Sequence, residues 1–341
     1  MEIIINDTCC RTLAAVEDAA GNEVAAFLRD WFSPQDYVEA RTSGSTGTPK
    51  TIRLYKDDMR ASARLTCHFF GLGAGTSMLL CLSPAYIAGK MMIVRALESG
   101  ARLYVEPPSS APLTYAVVTI DFAAMVPMQV QTLLQSAAGR ARLSSIHSLI
   151  IGGAPVSPDL EAELSTLPVA CYSTYGMTET VSHIALRRLD CRSAEFCAIG
   201  EVSFSQDNRE CLIIHTPQFR CKEFVTNDIV ALTDATHFRW LGRYDHIVNS
   251  GGIKIRPEEL ERKMARYIPA RFFLTSCPDE RLGERLVLVI EGERWADERL
   301  TLLKEQWRAA VDTPYHIPRE ILFLSHLPET STGKLLRRLP D

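Results

Sequence analysis

The sequence lacks the features that define several large classes of protein. It has no apolar run of about 18 residues, the length that a membrane-spanning helix needs. Its 37 lysines and arginines are outnumbered by 41 acidic residues, and the net charge of -4 argues against nucleic-acid binding driven by counterion release. Glu2 stands where a secretory signal peptide would carry basic residues. We therefore expect a cytoplasmic protein with no membrane span and no nucleic-acid partner.

The ten cysteines form no pattern typical of a metal site. None stand in C-x-x-C pairs, Cys9 and Cys10 are adjacent, and Cys191 and Cys197 are six positions apart. In a chain of 341 residues, scattered cysteines indicate small buried hydrophobic side chains in a reducing compartment. A disulfide framework is the less favoured alternative.

Short apolar strands alternate with helices in the first half of the chain. This alternation predicts an α/β fold with a mostly parallel sheet and helices on both faces. In such sheets, ligands bind outside the carboxyl ends of the strands. The predicted strands are 3–5, 78–82, 101–105, 115–120, 147–151 and 169–173, and the predicted helices are 16–31, 56–70, 91–97, 128–138 and 158–164.

The pattern changes twice in the second half. Short strands at 210–215, 223–225, 230–232 and 237–241 predict a small β-rich module. A helix that opens at Pro257, a helix at 299–311 and strands at 272–276, 286–291 and 321–324 predict a small α+β module. We place the boundary at Tyr244-Asp245, which gives domains of residues 1–244 and 245–341.

The most distinctive stretch follows Arg41. Glycines let the backbone turn tightly and approach a ligand, and hydroxyl groups and a lysine charge suit a polyphosphate. The spacing differs from that of the P-loop G-x-x-x-x-G-K-[ST]. Composition alone also allows a flexible surface linker. The candidate phosphate-binding residues are Thr42, Ser43, Gly44, Ser45, Thr46, Gly47, Thr48 and Lys50.

Three further stretches have side chains suited to a nucleotide. In the first, Tyr175 and Gly176 precede Thr178 and Glu179, which could contact a phosphate and a divalent cation, or form an ordinary polar βα loop with a helix-capping threonine. In the second, Asp228 could accept hydrogen bonds from ribose and Arg243 could reach a phosphate, if the two ends of a β-hairpin lie close together; taken alone, the stretch favours an ordinary surface Asp in a turn and a surface Arg. In the third, Lys334 follows a Ser/Thr/Gly turn and could also be a solvated tail charge.

Together these stretches resemble the adenylate-forming superfamily, which includes acyl-CoA synthetases, peptide-synthetase adenylation domains and luciferases. Ser43–Lys50 matches its phosphate loop, Tyr175–Glu179 its aromatic-Gly-x-Thr-Glu motif, and Thr332-Gly333-Lys334 its catalytic-lysine motif. Gly153, Ala154 and Pro155, which follow Gly152, are similar to its adenine-side loop. Residues 242–261 resemble its hinge and the start of its mobile C-terminal domain.

The resemblance implies roles for individual residues. Thr42–Lys50 would hold the phosphates of ATP, Thr178 would contact a phosphate, and Glu179 would bind Mg²⁺. Asp228 would hold the ribose, with Arg243 nearby, and Lys334 would bridge the carboxylate and the α-phosphate. The remaining implied roles are a hinge at Asp245 and a coenzyme A channel lined by Gly251 and Gly252.

Two departures from the family pattern stand out. Asn227 replaces the glycine of the usual Thr-Gly-Asp, although Asp228 is in place. The phosphate loop begins at Thr42, whereas most relatives have a long subdomain before it, so the resemblance covers a compact version of the fold that is truncated at its N-terminus. Loss of that subdomain should expose apolar surface, which leaves homodimerisation open.

The segment from Ser83 to Leu97 aligns with the start of the acyl pocket and is similar to that of o-succinylbenzoate–CoA ligases of menaquinone synthesis. An acid with a second carboxylate needs a cation in the pocket, and Lys90 and Arg95 are the candidates; each could instead be a helix charge whose aliphatic stem covers apolar surface. Tyr86 stands where many relatives have histidine. His183 either lines the pocket or lies on a helix surface.

The favoured function is therefore an AMP-forming acid–CoA ligase. It would use ATP, Mg²⁺ and coenzyme A with a small carboxylic acid, most favourably o-succinylbenzoate. One alternative is an adenylating enzyme that loads a carrier protein with another aromatic or aliphatic acid. The other is a non-catalytic nucleotide-binding protein.

Overall fold

The structure, a computed structural model, describes residues 1–41, 51–114, 119–190, 193–329 and 335–339. The candidate phosphate loop Thr42–Lys50 and Lys334 lie outside these residues. The chain divides into two compact units. The first contains Met1–Phe204, Ile214–Phe224 and Asp234–His237, and the second contains Ser205–Ile213, Val225–Thr233 and Phe238–Asp341.

A mostly parallel sheet lies at the centre of the first unit. The strands of this unit are β1 (Ile3–Ile5), β2 (Thr8–Cys10), β3 (Tyr37–Arg41), β4 (Thr51–Tyr55), β5 (Ser77–Leu80), β6 (Arg102–Val105), β7 (Ile120–Met125), β8 (Ile146–Ile151), β9 (Ala170–Gly176), β10 (His183–Arg188) and β11 (Phe196–Ala198). The sheet has the order β11-β10-β9-β8-β7-β5-β6-β1-β2, and β3 and β4 form a separate antiparallel pair. The neighbours from β9 to β1 in this order pair in parallel, whereas β2, β10 and β11 pair antiparallel with their neighbours.

Helices pack on both faces of this sheet. Successive residues of β5 point to opposite faces, so that Met78 and Leu80 join one hydrophobic core and Leu79 joins the other. The helices are α1 (Leu13–Ala20), α2 (Asn22–Trp31), α3 (Lys56–Phe70), α4 (Ile87–Ser99), α5 (Pro127–Leu134), α6 (Ala137–Leu143) and α7 (Pro158–Leu164). The first core includes side chains of α1 to α4, and the second includes side chains of α5 to α7. The predicted α/β fold class is confirmed.

Some predicted elements are divided or shifted. The helix predicted over 16–31 is two helices, because Gly21 adopts a φ of 79° and ends α1. The helix predicted over 128–138 is also two, because the hydroxyl of Ser136 accepts a hydrogen bond from the Gly139 N–H and starts α6. Residues 115–118 of the strand predicted at 115–120 lie outside the described residues, and its last residue, Ile120, is the first residue of β7.

Among the described residues, the second unit contains a smaller sheet with two α-helices. The later elements of the chain are β12 (Ser203–Gln206), β13 (Cys211–His215), β14 (Glu223–Leu232), β15 (His237–Arg243), β16 (Val248–Ser250), β17 (Ile253–Ile255), α8 (Pro257–Met264), β18 (Phe272–Asp279), β19 (Gly283–Glu291), α9 (Asp297–Ala310) and β20 (Glu320–Leu324). The smaller sheet has the order β17-β16-β19-β18, with β20 parallel to β19, and its core includes Leu260 and Met264 of α8 and Leu303 and Trp307 of α9. The predicted hinge residue Asp245 lies within this unit and stays a prediction. No helix in the described part of the chain is long and apolar enough to cross a membrane.

Candidate active site

The predicted adenine-side loop follows β8 at the carboxyl end of the parallel sheet. The Gly152 N–H donates to the carbonyl of Met125 at the end of β7, at 3.1 Å. A Cβ at Gly152 would lie 2.3 Å from Oγ1 of Thr174 on β9, so a larger residue here would require the Thr174 side chain to move. Gly153 has a φ of 85°, which glycine adopts at little cost. Gly153, Ala154 and Pro155 therefore stand at the edge where such sheets bind ligands.

The aromatic-Gly-x-Thr-Glu motif forms a β-hairpin rather than the βα loop of the alternative interpretation. Gly176 ends β9 and pairs with His183, the first residue of β10. A Cβ at Gly176 would lie 2.4 Å from the carbonyl oxygen of Ser182, which explains the glycine. Tyr175 packs against Phe196 with ring centroids 5.8 Å apart. The loop between the strands carries Thr178, which is half-buried, and Glu179, which is exposed.

Glu179 fits a role as one ligand of a magnesium ion. Among the described residues, no group of three or more His, Cys, Asp or Glu side chains could hold a metal ion by itself. Mg²⁺ is usually bound through one or two carboxylates together with substrate phosphates and water, so a single exposed carboxylate suits it.

Arg95 lies at the centre of a buried polar cluster behind this hairpin. It is 1% exposed, and Nη2 donates to the hydroxyl of Ser182 at 2.7 Å. Its Nε is buried without a hydrogen-bond partner among the described residues. The interpretation of Arg95 as a helix charge that reaches solvent is wrong, because α4 places this guanidinium in the interior of the first unit.

His183 completes the cluster. It is 5% exposed, with Nε2 3.2 Å from the hydroxyl of Thr66 on α3 and Nδ1 3.4 Å from that of Ser182. The alternative of a helix-surface position is wrong, since His183 begins a central strand. Burial, and then the charge of Arg95, hold the pKa of His183 well below its usual value. Burial lowers the pKa of Arg95 to about 10. At neutral pH the cluster thus holds one positive charge, on Arg95.

The other two candidates for the acyl pocket lie at the start of α4. Tyr86 precedes the helix and is 48% exposed. The ammonium group of Lys90 lies 5.0 Å from the ring centroid of Phe27, and burial lowers its pKa, an effect that Asp30 opposes. No contact in the described residues joins Lys90 to the Arg95–Ser182–His183 cluster.

Asp228 and Arg243 face each other in the second unit, as their spacing predicted. They are register partners in the antiparallel pair β14–β15, with Arg243 Nη1 3.9 Å from Asp228 Oδ1. The indole N–H of Trp240 donates to the same oxygen at 3.1 Å and orients the carboxylate. Arg243 also donates to both carboxylate oxygens of Asp245, at 2.9 and 3.0 Å. Burial alone would raise the pKa of Asp245, but these bonds outweigh it and lower the pKa.

Gly251 and Gly252 form a two-residue turn between β16 and β17. Their φ values are 60° and 81°, and Ser250 pairs with Ile253 on either side of the turn. Two successive positive φ angles are typical of a tight hairpin and explain why both residues are glycine. A Cβ at Gly251 would lie 2.8 Å from the ring of Tyr315, whereas Gly252 faces open space.

The structure adds residues that sequence reasoning missed. Ser182 has a weak signal, since it follows the Thr-Glu motif closely. Thr66 and Thr174 have none, because a threonine within a helix or strand is unremarkable until the fold brings it to a partner. The contact between Thr66 and His183 spans 117 positions of the chain.

Comparison with known proteins places the chain in a family. Residues 18–205, more than half of the chain, match the family described as AMP-binding enzyme. The chain belongs to this family. The predicted resemblance to adenylate-forming enzymes is thereby confirmed.

Among individual proteins, the chain is similar to a 2-succinylbenzoate–CoA ligase of Bacillus cereus, at 24% identity over 93% of this chain and 72% of that protein. It is also 27% identical to a probable 2-succinylbenzoate–CoA ligase of Mycobacterium tuberculosis, over 87% of this chain and 81% of that protein.

Solved structures of AMP-binding enzymes agree with the fold. An acyl-CoA synthetase (AMP-forming)/AMP-acid ligase II-like protein from Dyadobacter fermentans is 36% identical, with a TM-score of 0.63, over 92% of this chain and 91% of that chain. An O-succinylbenzoate coenzyme A synthetase from Bacillus subtilis, in complex with ATP and magnesium ion, has a TM-score of 0.72 at 20% identity, over 88% of this chain and 68% of that chain. The second likeness concerns the fold alone.

Proposed function

We propose that the protein is an AMP-forming carboxylic acid–CoA ligase with o-succinylbenzoate as its favoured acid. In the first half-reaction, a carboxylate oxygen of the acid attacks the α-phosphorus of ATP, and pyrophosphate leaves. In the second, the thiolate of coenzyme A attacks the acyl carbonyl, and AMP leaves. Adenylation is needed because a carboxylate is a poor electrophile without a good leaving group.

The buried guanidinium of Arg95 is the observation that carries this proposal. A buried charge is normally paired or fully hydrogen-bonded. In the described residues, the guanidinium of Arg95 donates to the hydroxyl of Ser182 and, at 3.5 Å, to the sulfur of Met92, both neutral groups. A guanidinium in this state suits a carboxylate brought by the substrate. An acid with two carboxylates could present one to Arg95 and the other for activation.

The names of the relatives support the same substrate class. Both curated relatives are named as ligases of 2-succinylbenzoate, and the Dyadobacter protein as an acyl-CoA synthetase. Their moderate identities leave the choice of acid to experiment.

The roles proposed for the site residues follow from their chemistry. Lys334 and the Thr42–Lys50 loop would offset negative charge that develops at the α-phosphorus, which is the main catalytic effect available in phosphoryl chemistry. Thr178 would donate to a phosphate, and Asp228 would accept from ribose hydroxyls. Mg²⁺, when bound through Glu179, would supply charge neutralisation at the phosphates. Gly251 and Gly252 would allow coenzyme A to pass close to the backbone.

A pair of acids tests the proposal. The purified protein is incubated with ATP, Mg²⁺ and coenzyme A, and loss of free thiol and formation of AMP are measured. One acid is o-succinylbenzoate, and the other is 4-oxo-4-phenylbutanoate, which lacks only the ring carboxylate. We expect AMP, pyrophosphate and thiol loss with the first, and a much lower kcat/KM with the second.

The products separate the competing functions. ADP and phosphate in place of AMP and pyrophosphate would contradict the proposal. AMP formation that does not depend on coenzyme A would favour the carrier-protein alternative. ATP binding with no turnover of any acid would favour the non-catalytic alternative.

A further inference from the structure

The loop that carries Thr178 and Glu179 is held by one buried side chain that no motif assigns. Thr180 is 0% exposed. Its hydroxyl accepts from the Met177 N–H at 3.0 Å and lies 3.0 Å from the carbonyl of Met177 and 2.9 Å from that of Ser182. Because a hydroxyl has a single proton, it donates to one of these carbonyls at a time. It therefore ties the first residue of the loop to the last.

The backbone around this hydroxyl is strained. Val181 is β-branched, yet it has a φ of 66°, a region that such residues rarely occupy. The Ser182 N–H donates to the carbonyl of Thr180 at 2.7 Å, two residues back, which closes a three-residue turn around Val181. The Val181 N–H donates to the carbonyl of Thr178 at 3.0 Å. A conformation of this kind persists only when its surroundings fix it, and Thr180 makes the bonds that span it.

The two ends of the loop serve different parts of the proposed reaction. Thr178 and Glu179 precede the turn and would contact phosphate and Mg²⁺. Ser182 follows the turn and accepts the hydrogen bond of Arg95 at 2.7 Å. A change in the shape of the turn would thus move both ends at once.

We infer that Thr180 is a positioning residue, whose hydroxyl holds this strained turn in the shape that aligns Thr178 and Glu179 for the nucleotide and Ser182 for Arg95. The inference rests on the proposed function for the identity of the groups being aligned. Thr180 itself contacts no reacting atom; it acts through Met177 and Ser182.

Three variants test the inference. Thr180→Val removes the hydroxyl, Thr180→Ser keeps it, and Thr180→Ala removes it without adding a methyl group opposite the carbonyls, in case the valine variant does not fold. Thr132→Val is the matched control, because among the described residues its hydroxyl bonds only the carbonyl of Met128 on the outer surface of α5, at 2.9 Å.

The deciding measurement is the Mg²⁺ concentration that gives half-maximal acyl-adenylate formation. This concentration does not depend on how much of the enzyme is folded, so it separates positioning from simple destabilisation. In Thr180→Val and Thr180→Ala we expect it to rise about 10-fold, the usual effect of removing a group that orients a metal ligand. We also expect kcat for adenylation to fall about 100-fold, as for a misplacement of about 1 Å. Thr180→Ser should stay close to wild type, and Thr132→Val should match it.

The outcomes separate this inference from the proposed function. Loss of activity with an unchanged Mg²⁺ requirement would overturn the inference, and so would an equal effect of Thr180→Ser and Thr180→Val. If wild type binds ATP but forms no adenylate, the proposed function fails, and calorimetry of ATP binding at different Mg²⁺ concentrations then decides whether Thr180 positions Glu179. A wild-type protein that binds no ATP would overturn both.

Discussion

The guanidinium of Arg95 lies 2.7 Å from the hydroxyl of Ser182, although 87 positions separate the two residues in the chain. Helix α4 supplies the first and the hairpin of the Thr-Glu motif supplies the second. The segment that aligns with the start of the acyl pocket is thereby joined directly to the Thr-Glu motif. This contact is where we expect the second carboxylate of the acid to bind.

Replacement of Arg95 by glutamine should raise the KM for o-succinylbenzoate more than the KM for 4-oxo-4-phenylbutanoate. We expect about 10- to 100-fold for the first acid, because a hydrogen bond to a charged group contributes about 1.5–3 kcal/mol. Steady-state kinetics with both acids measure the difference. Arg95→Lys should recover only part of the loss, since an ammonium group lacks the planar fork of a guanidinium.

The control for Arg95 is Arg64→Gln on helix α3. Arg64 is an exposed arginine that pairs with Glu98, and its loss should leave both KM values unchanged. Equal effects of Arg95→Gln on the two acids would show that Arg95 does not distinguish the ring carboxylate.

The buried neutral His183 should make the protein less stable in acid. Its pKa is held well below 6.5 in the folded state, and unfolding returns the pKa to about 6.5. As the pH falls below about 6.5, His183 therefore takes up a proton in the unfolded chain before it does so in the folded protein. The free energy of unfolding is then unaffected by His183 above that pH and decreases below it, by up to about 1.4 kcal/mol per pH unit. Urea unfolding between pH 5 and pH 8 measures this slope.

His183→Gln should flatten the acidic side of the profile, because glutamine cannot take up the proton. His147→Gln, at an exposed position of β8, is the control and should reproduce the wild-type profile. A profile for His183→Gln that coincides with wild type would contradict a buried neutral histidine.

The sequence predicted those features whose signals are local. The helix α3 was predicted with its observed bounds, since its apolar spacing ends at Gly71, which takes the left-handed conformation. The spacing of Asp228 and Arg243 placed them opposite each other in a hairpin, although the two short strands predicted at 223–225 and 230–232 are one continuous strand, β14.

Features that depend on distant residues were not predictable. His183 lies in a strand rather than on a helix because β10 pairs with β9, and no pattern within β10 indicates that partner. Ser182 gains its role through its hydrogen bond with Arg95, 87 positions away in the chain. Thr66 gains its role through its contact with His183, 117 positions away. The hydrophobic pattern or motif of one segment does not show which distant residue that segment will contact.

Asp228→Asn should weaken ATP binding. The indole of Trp240 can still donate to the remaining carbonyl oxygen, so the side chain keeps its orientation while it loses its charge and one acceptor. We expect the KM for ATP to rise about 10- to 100-fold, with a smaller change in the KM for the acid. Pyrophosphate exchange at varied ATP measures the first KM, and the same assay at varied acid measures the second.

Asp234→Asn is the control for Asp228, because Asp234 accepts hydrogen bonds within its own turn, from Thr236 and His237. Its replacement should leave the KM for ATP unchanged. Equal KM values for ATP in Asp228→Asn and wild type would contradict a role of Asp228 in binding ribose.

Lys334→Ala should slow adenylation by at least about 100-fold while leaving ATP binding largely intact, because the proposed role of this charge is at the α-phosphorus as negative charge develops there. Pyrophosphate exchange reports the first effect and calorimetry of ATP binding the second. Lys304→Ala on the exposed side of α9 is the control. Unchanged turnover in Lys334→Ala would remove Lys334 from the mechanism.

Gly176→Ala tests whether the hairpin of the Thr-Glu motif tolerates any side chain at its tightest point. The new Cβ would lie 2.4 Å from the carbonyl oxygen of Ser182 and 2.8 Å from the Cα of His183, both backbone atoms that cannot move aside alone. We expect a loss of about 1–3 kcal/mol in the free energy of unfolding, the usual cost of overpacking, and a fall in adenylation because Ser182 shifts away from Arg95.

Gly75→Ala is the matched control. A Cβ at Gly75 meets no atom within 4 Å and the φ of Gly75 is not positive, so the variant should be at least as stable as wild type. If both variants unfold at the same urea concentration as wild type, the expected clash at Gly176 does not occur, and the prediction is contradicted.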